Sequence, residues 1–216
     1  FIEQNKERPF FLYLSYYSVH TPLQAPKERV AKYAKKPKGK RHSNATYAAM
    51  VESVDLSVGR IMRRLEKLGL TKNTVVIFTS DNGGHGKITS HLPLRGNKGN
   101  FYEGGIRVPL IVKWPGVVKP ASTCNVPVIS TDYYPTLLAM TGQPARPRQH
   151  VDGRNLVPLL KQTGTVKRDA LYWHYPNYIG AGHPGGARPC SVVRSGDWKL
   201  IESFETNRLE LFNLKE

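Results

Sequence analysis

The sequence predicts an α/β fold followed by a small antiparallel β-sheet. A continuous run of β-branched and aromatic residues at 74–79 indicates a fully buried strand, and polar residues and glycines follow it at once. Before this run, apolar residues recur every three or four positions from Met50 to Leu68, which is typical of an amphipathic helix. After residue 170, short strand-like segments alternate with turns rich in Gly, Pro and Asn.

Strand patterns occur in both parts of the chain. In the first part they are 10–14, 74–79, 108–114 and 126–129, and in the second part they are 171–175, 191–194, 198–202 and 209–214. We expect 74–79 to be the central strand of its sheet, because it is apolar on both faces. Polar residues at the carboxyl end of such a strand are where open α/β sheets bind ligands. A loop rich in Gly and Pro is predicted at 181–189.

Two helices have recognisable ends. Asn44 is a suitable cap for the helix of about six turns that Gly69 ends. The residues at 130–132 cap a second helix, which continues to Met140 and ends at Gly142.

The chain is strongly basic. Its 216 residues include 32 Lys and Arg against 16 Asp and Glu, a net charge of +16 with a pI near 9.9. Much of the excess lies at 27–41, a run that we predict to be a solvated loop. This charge favours an anionic partner, either nucleic acid or a sulfated, acidic polymer. RNA-binding aromatic motifs, zinc-finger spacing and helix-turn-helix signals are missing, which argues against specific nucleic-acid binding. Charge that serves only solubility is the alternative.

Composition sets further limits. With 39% hydrophobic residues and a mean hydropathy of −0.43, the chain can bury a core, and no apolar run approaches the roughly 18 residues of a membrane span. Cys124 and Cys190 match no metal-binding pattern, and whether they pair stays open. The sequence shows no signal peptide and begins at Phe1, so we expect it to be an excised piece.

Asp81 and Asn82 place a carboxylate beside an amide oxygen directly after the central strand. Hard oxygen donors of this kind suit Ca²⁺ or Mg²⁺. The alternative is a simple Asp-Asn-Gly turn, because two donors fall short of the six to eight that Ca²⁺ takes.

Lys98 lies in a glycine-rich loop, between Gly96 and Gly99 and close to Arg95. Glycines allow a backbone to approach a ligand closely, and a lysine among them is a point charge suited to a tetrahedral oxyanion. The spacing is not that of a nucleotide-binding P-loop. The alternative is a mobile basic loop.

Four motifs resemble the type I sulfatases, the formylglycine-dependent arylsulfatase A-like enzymes of the alkaline-phosphatase superfamily. They are P-F-F-L-Y-L-S-Y-Y-S-V-H-T-P at 9–22, S-D-N-G-G at 80–84, L-R-G-N-K-G-N-F-Y-E-G-G-I-R-V-P at 94–109 and S-G-D-W-K-L-I-E at 195–202. The resemblance implies an alkaline-phosphatase-like fold with a central mixed sheet. Residues 1–150 would be the C-terminal part of the catalytic domain, and 151–216 a connecting segment and a small antiparallel subdomain, both incomplete.

The resemblance also implies roles for individual residues. His20 would contact the sulfate ester and protonate the leaving alcohol, and Lys98 would stabilise charge on the transferring group. Asp81 and Asn82 would hold Ca²⁺, in preference to Mg²⁺. Weaker candidates for substrate contact are His174, Arg95 and His85. For His174, packing on the C-terminal sheet is an equal alternative. The expected partner is a sulfated small molecule or a sulfated polysaccharide.

The family's nucleophile is not found in this sequence. Type I sulfatases carry a C-x-P-S-R or C-x-A-S-R motif whose cysteine becomes formylglycine, and neither Cys124 nor Cys190 fits it. We therefore expect a C-terminal fragment that is inactive alone, with formylglycine supplied by a missing N-terminal part. The resemblance implies a periplasmic, lysosomal or secreted protein and leaves the oligomeric state open.

Two other functional classes remain as alternatives. A phosphodiesterase or phosphonate hydrolase of the same superfamily would use two metals with extra His and Asp ligands, and the spacing of His20, His85 and His91 does not suggest one. A noncatalytic polyanion-binding module would depend on the basic run at 27–41.

Overall fold

The structure is a computed structural model that describes residues 1–178 and 188–216, so most of the predicted loop at 181–189 lies outside the described residues. The chain forms two compact units, Phe1–Val75 with Thr79–Leu110 and Val76–Phe78 with Ile111–Glu216. The helices are α1 (Lys27–Ala34), α2 (Ala45–Lys67), α3 (Glu103–Ile106), α4 (Tyr133–Met140) and α5 (Val157–Leu160). The strands are β1 (Val76–Thr79), β2 (Leu110–Lys113), β3 (Leu171–Tyr175), β4 (Cys190–Ser195), β5 (Trp198–Ser203) and β6 (Arg208–Asn213).

Helix α2 is the long helix that the apolar periodicity predicts. The Asn44 side chain accepts a hydrogen bond from the Tyr47 backbone N–H at 2.9 Å, which satisfies one of the free donors of the first turn. The helix is followed by Gly69 at φ +69°, a left-handed conformation that glycine adopts without steric cost. The buried residues of its apolar face are Ala49, Met50 and Leu65. None of the helices among the described residues combines the length and the apolar character that a bilayer span needs.

Helix α1 corrects the prediction that 27–41 is a solvated loop. Its half-buried residues, among them Val30 and Tyr33, recur at helical spacing, and α1 packs against α2. The guanidinium of Arg29 donates a hydrogen bond to Ser53 Oγ at 2.7 Å. The prediction is wrong for 27–34, because the many lysines obscure the narrow apolar face of a helix that is stabilised by packing against α2. Residues 35–41 are irregular and exposed, as predicted.

Strands β1 and β2 form a two-stranded sheet, and both were predicted from their apolar runs. The expectation that 74–79 is fully buried and central is wrong for the described residues, because β1 is half-buried along its whole length. Within the described ranges β2 is its only strand neighbour. A strand reaches full burial only when other elements cover both of its faces.

Two further strand predictions are wrong. Residues 10–14 form no strand, and the side chains of Phe11 and Tyr13 are 71% and 80% exposed. An apolar run becomes a strand only when a neighbour pairs with its N–H and C=O groups, and the described residues supply no such neighbour. Residues 126–129 also form no strand, and Pro127 removes a backbone donor from that short segment.

The C-terminal sheet confirms the predicted antiparallel arrangement. Its strand order is β3-β4-β5-β6, and Val192 lies opposite Trp173 on one side and Ile201 on the other. One face carries the buried side chains, which are Leu171, Cys190, Val192, Lys199 and Ile201. Alternate residues such as Tyr172 and Leu211 point to the opposite, exposed face. The alternation of apolar and polar residues therefore sets the register.

Asp132 joins the segments that precede the C-terminal sheet. Its side chain is fully buried and accepts hydrogen bonds from the backbone N–H of Ile129 at 3.0 Å and of Arg154 at 2.8 Å. It also forms a two-fold ion pair with the guanidinium of Arg168. Residues 130–132 form a 3₁₀ turn that leads directly into α4, so the predicted helix start is confirmed.

Replacing Asp132 with Ala is expected to lower the free energy of unfolding by about 3–5 kcal/mol, because Arg168 and two backbone donors lose their acceptor in a buried site. Urea unfolding followed by circular dichroism measures this loss. The control is Asp152→Ala, since Asp152 is exposed and forms no ion pair within the described residues. An equal effect in both variants would contradict the role of the buried carboxylate.

Candidate active site

Asp81 and Asn82 lie immediately after β1, in the first unit. The Asp81 side chain is exposed, and its carboxylate makes no hydrogen bond or ion pair with any described residue. The Asn82 amide nitrogen donates to the Gly83 carbonyl at 2.9 Å, which orients the amide and leaves its oxygen without a donor among the described residues. Two neighbouring oxygen donors are thus available to a hard cation.

A close contact between two glycine-rich backbone segments defines the surroundings of this pair. Gly83 N–H donates to the Gly105 carbonyl at 2.8 Å. A Cβ at Gly83 would overlap the Gly104 carbonyl oxygen, and a Cβ at Gly105 would overlap the Asn100 carbonyl oxygen. Only glycine therefore permits this approach, and the segments after β1 and before β2 are held together through main-chain atoms.

Lys98 is attached to the same segments. Its backbone N–H donates to the Gly84 carbonyl at 3.0 Å, which places Lys98 beside the chain two residues after Asn82. Gly96 and Gly99 flank it at φ +86° and +91°, conformations that side-chain-bearing residues rarely adopt. The ammonium group of Lys98 makes no hydrogen bond or ion pair within the described residues, so its charge is available to an anion.

Arg95 and His85 belong to the same cluster of loops. The guanidinium of Arg95 lies 4.0 Å from the centroid of the Tyr102 ring and donates to the Tyr102 hydroxyl at 3.1 Å. The Arg95 carbonyl accepts a hydrogen bond from Gly104 N–H at 2.7 Å. His85 Nδ1 accepts from the Lys87 backbone N–H at 3.2 Å, so Nε2 carries the proton of the neutral ring.

His20 lies in the same unit but in a separate turn. Its Nδ1 is 2.7 Å from the Thr21 carbonyl oxygen, which can only accept, so Nδ1 carries a proton. The Tyr17 ring lies 5.6 Å from the imidazole. Nε2 has no partner among the described residues and can exchange a proton with a ligand. Contacts of His20 thus stay within residues 17–21, and none links it directly to Lys98 or Asp81.

His174 belongs to the second unit. It lies on the exposed face of β3, where its Nδ1 is 2.9 Å from Ser191 Oγ and its ring is 5.7 Å from that of Phe204. These contacts match the alternative of a histidine packed on the C-terminal sheet. A substrate contact for His174 stays a prediction.

The donor set is only partly suited to a metal. Among residues 1–178 and 188–216, no three His, Cys, Asp or Glu side chains converge as a metal site. Asp81 and Asn82 fit a hard cation as two of its oxygen ligands. Both cysteines are free thiols; Cys124 is exposed and Cys190 is buried, where desolvation raises its pKa.

His91 is a structural residue of the site that the sequence did not reveal. Its Nε2 accepts a hydrogen bond at 2.8 Å from the N–H of Gly84, the residue whose carbonyl accepts from the Lys98 N–H. Burial lowers the pKa of His91 from its ordinary value of 6.5, and the charge of His42 lowers it further. The neutral ring is therefore the form that supports the loop. No periodicity or motif marks such a contact, because the two residues meet only through loop folding.

Comparison with known proteins identifies the family. The Sulfatase family model matches residues 1–143, and the model for the C-terminal region of N-sulphoglucosamine sulphohydrolase matches residues 97–216. The chain belongs to the sulfatase family. Its α/β content and C-terminal antiparallel sheet agree with that fold, as predicted.

Individual relatives support this assignment. A sulfatase of Formosa agariphila is 39% identical over 96% of this chain and 40% of its own length, and human steryl-sulfatase is 36% identical over 84% and 31%. The crystal structure of Ps i-CgsB in complex with k-i-k-neocarrahexaose has a TM-score of 0.81 and 34% identity, covering 98% of this chain and 45% of that one. The chain therefore spans less than half the length of these relatives.

The hydrogen bond from Gly84 to His91 predicts that stability depends on pH. Because the folded state lowers the pKa of His91, the unfolded state binds more protons, and stability falls as the pH drops below about 6.5 until the folded pKa is passed. His91→Gln retains an acceptor that does not titrate, so its stability should fall less between pH 7 and pH 5. Thermal unfolding of both proteins at each pH measures the difference, and parallel curves would contradict the prediction.

Proposed function

We propose that this chain contributes the cation-binding loop, the anion-binding lysine and the general acid of a sulfuric ester hydrolase. The observation that carries the proposal is the hydrogen bond from Lys98 N–H to the Gly84 carbonyl. Through this bond the loop that bears an unpaired ammonium group meets the loop that bears two unpaired oxygen donors. An anion and a hard cation can therefore bind side by side.

Lys98 binds the non-bridging oxygens of the sulfate ester in this proposal. Negative charge on the leaving oxygen and the sulfuryl group changes as the S–O bond breaks, and the ammonium group of Lys98 would stabilise it electrostatically. The flanking glycines allow the sulfate group to approach the main chain of the loop. Arg95, which is held against Tyr102, and His85 belong to the same loops and would contact the rest of the substrate.

Asp81 and Asn82 would hold the metal ion, for which we propose Ca²⁺ rather than Mg²⁺. Mg²⁺ demands near-ideal octahedral geometry, whereas Ca²⁺ accepts an irregular set of carboxylate and amide oxygens. Bound there, the ion supplies Lewis-acid stabilisation of the sulfate oxygens. Further ligands would have to come from residues outside this pair.

His20 is proposed as the group that protonates the leaving alcohol. Cleavage of a sulfate ester releases an alkoxide, which needs a proton at neutral pH, and histidine is the side chain that titrates there. The hydrogen bond to the Thr21 carbonyl fixes the proton on Nδ1 and orients Nε2, which would carry the proton that is transferred.

Neither cysteine of this chain fits the motif of the family's nucleophile. Formylglycine is formed in a C-x-P-S-R or C-x-A-S-R motif, and Cys124 and Cys190 lie in unrelated sequences. We therefore infer that these 216 residues alone do not turn over substrate. Activity would belong to the complete natural polypeptide that contains them.

The proposed substrate is a sulfate ester of an aryl or carbohydrate alcohol. This range reflects the relatives, which include a steryl-sulfatase and a protein in complex with a hexaose. The family resemblance also suggests a periplasmic, lysosomal or secreted location.

In the complete polypeptide, Lys98→Ala should lower kcat/KM for 4-nitrophenyl sulfate by about 10²-fold or more, the scale for removing one preorganised charge stabiliser. Release of 4-nitrophenol measures the rate. Lys72→Ala is the matched control, because Lys72 is an exposed lysine of the 3₁₀ turn after α2. An unchanged rate in Lys98→Ala would refute the assignment of Lys98.

Ca²⁺ should raise the melting temperature of the same polypeptide, because a ligand that binds only the folded state at 100 times its Kd stabilises it by about 2.7 kcal/mol. Asp81→Ala should lose this Ca²⁺-dependent shift. Asp55→Ala, which removes an exposed carboxylate from α2, should keep it. Differential scanning calorimetry with added Ca²⁺ or EGTA makes the comparison. A full shift in Asp81→Ala would exclude Asp81 as a ligand.

A further inference from the structure

A cavity of about 490 Å³ lies in the first unit, lined by parts of the loops that carry the candidate site. Gly86, Gly96 and Asn97 form part of its lining, and Asn97 directly precedes Lys98 in the chain. Gly86 and Asn97 approach so closely that a Cβ at Gly86 would overlap the Asn97 side chain. A ligand in this cavity would thus lie against the loop that presents Lys98.

The charged residues of the lining are all cations. They are Arg41, Lys87 and Arg95, and the lining contains no carboxylate. The Lys87 side chain is exposed, and its ammonium group makes no hydrogen bond or ion pair among the described residues. Arg41 makes one long hydrogen bond, to the Leu92 carbonyl at 3.3 Å, and its other guanidinium N–H groups remain available to a ligand. Three cations around one concave surface favour an anionic occupant.

The fixed orientation of Arg95 adds geometric selectivity. Its guanidinium stacks on Tyr102 and bonds the hydroxyl of that ring, so its planar fork is held rather than free to rotate. Guanidinium groups bind carboxylate and sulfate oxygens through paired hydrogen bonds, whereas a lysine acts as a point charge.

The uncharged lining matches a sugar rather than a bare ion. Hydroxyl and amide side chains can bond sugar hydroxyls, and aliphatic side chains can pack against the C–H face of a pyranose ring. The polar residues are Ser43, Thr89, Ser90, His91 and Asn97, and the aliphatic ones are Ile88, Leu92 and Leu94. The volume falls within the roughly 300–1,000 Å³ typical of small-molecule sites, well above what a single sulfate fills.

We propose that this cavity binds a second anionic sugar unit, carrying sulfate or carboxylate, of an oligosaccharide whose scissile sulfate ester lies at Lys98. This inference rests on the proposed function and narrows its substrate class to carbohydrates with at least two anionic groups. A monosulfated aryl ester is too small to reach both positions and would gain nothing from the cavity.

The test compares two substrates in the complete polypeptide. The double variant Arg41→Gln/Lys87→Gln should raise KM for a disulfated disaccharide about tenfold with little change in kcat, because charge-assisted hydrogen bonds to the non-reacting unit are lost. Its kcat/KM for 4-nitrophenyl sulfate should stay within twofold. The matched control is Lys35→Gln/Lys36→Gln, which removes two charges from the same basic run outside the cavity lining and should change neither substrate by more than twofold at 150 mM salt.

Equilibrium binding separates this inference from the proposed function. Titration calorimetry with the disulfated disaccharide should show about tenfold weaker binding in Arg41→Gln/Lys87→Gln than in the wild type, even if no substrate is hydrolysed. If the wild type binds the disaccharide, the double variant binds it more weakly and neither hydrolyses it, the sulfatase proposal is rejected and the cavity inference is retained. Equal losses for both substrates, equal losses in the control variant, or unchanged disaccharide binding in the double variant would reject the cavity inference. Equal melting temperatures of the variants confirm that folding is unaffected.

Discussion

The main-chain contact between the glycine-rich segments at 83–84 and 104–105 is the constraint on which the candidate site depends. At this contact the Gly83 N–H bonds directly to the carbonyl of Gly105, 22 residues further along the chain, and no side chain separates them. A second main-chain bond, from Lys98 N–H to the Gly84 carbonyl, holds the backbone of Lys98 beside the chain that follows Asn82. A site that stabilises charge needs such positioning, since preorganised groups act without reorganisation during the reaction.

The charge balance explains how the site keeps its cations available. With 32 basic and 16 acidic side chains, carboxylates can pair with at most half of the cations if each takes one. Several carboxylates are engaged in structural pairs, such as Asp132 with Arg168 and Glu52 with Lys32. Lys87 and Lys98 lie in loops without an acidic partner among the described residues. The basic excess therefore leaves cations without an acidic partner in the loops of the candidate site.

The sequence pattern was enough to predict the helices and strands whose signals lie within their own segments. Helix α2 follows from its apolar stripe, with Asn44 and Gly69 at its ends, and strands β3–β6 follow from alternation between turn residues. Helix α1, the half-exposure of β1 and the irregular course of 10–14 were not predicted. Each of these depends on whether a neighbouring element covers it, and a sequence window carries no information about that neighbour.

For the site, the sequence by itself determined the chemistry, namely which residues can offer an oxygen donor, an ammonium group or an imidazole, and the family whose motifs they match. The tertiary structure alone decided which of them meet. It joined Lys98 to the chain after Asn82, recruited His91 as a support for Gly84, and assembled the cavity around Arg41, Lys87 and Arg95. The physical reason is that contacts between loops are made by backbone atoms and by residues far apart in the chain, and neither leaves a periodic trace in the order of side chains.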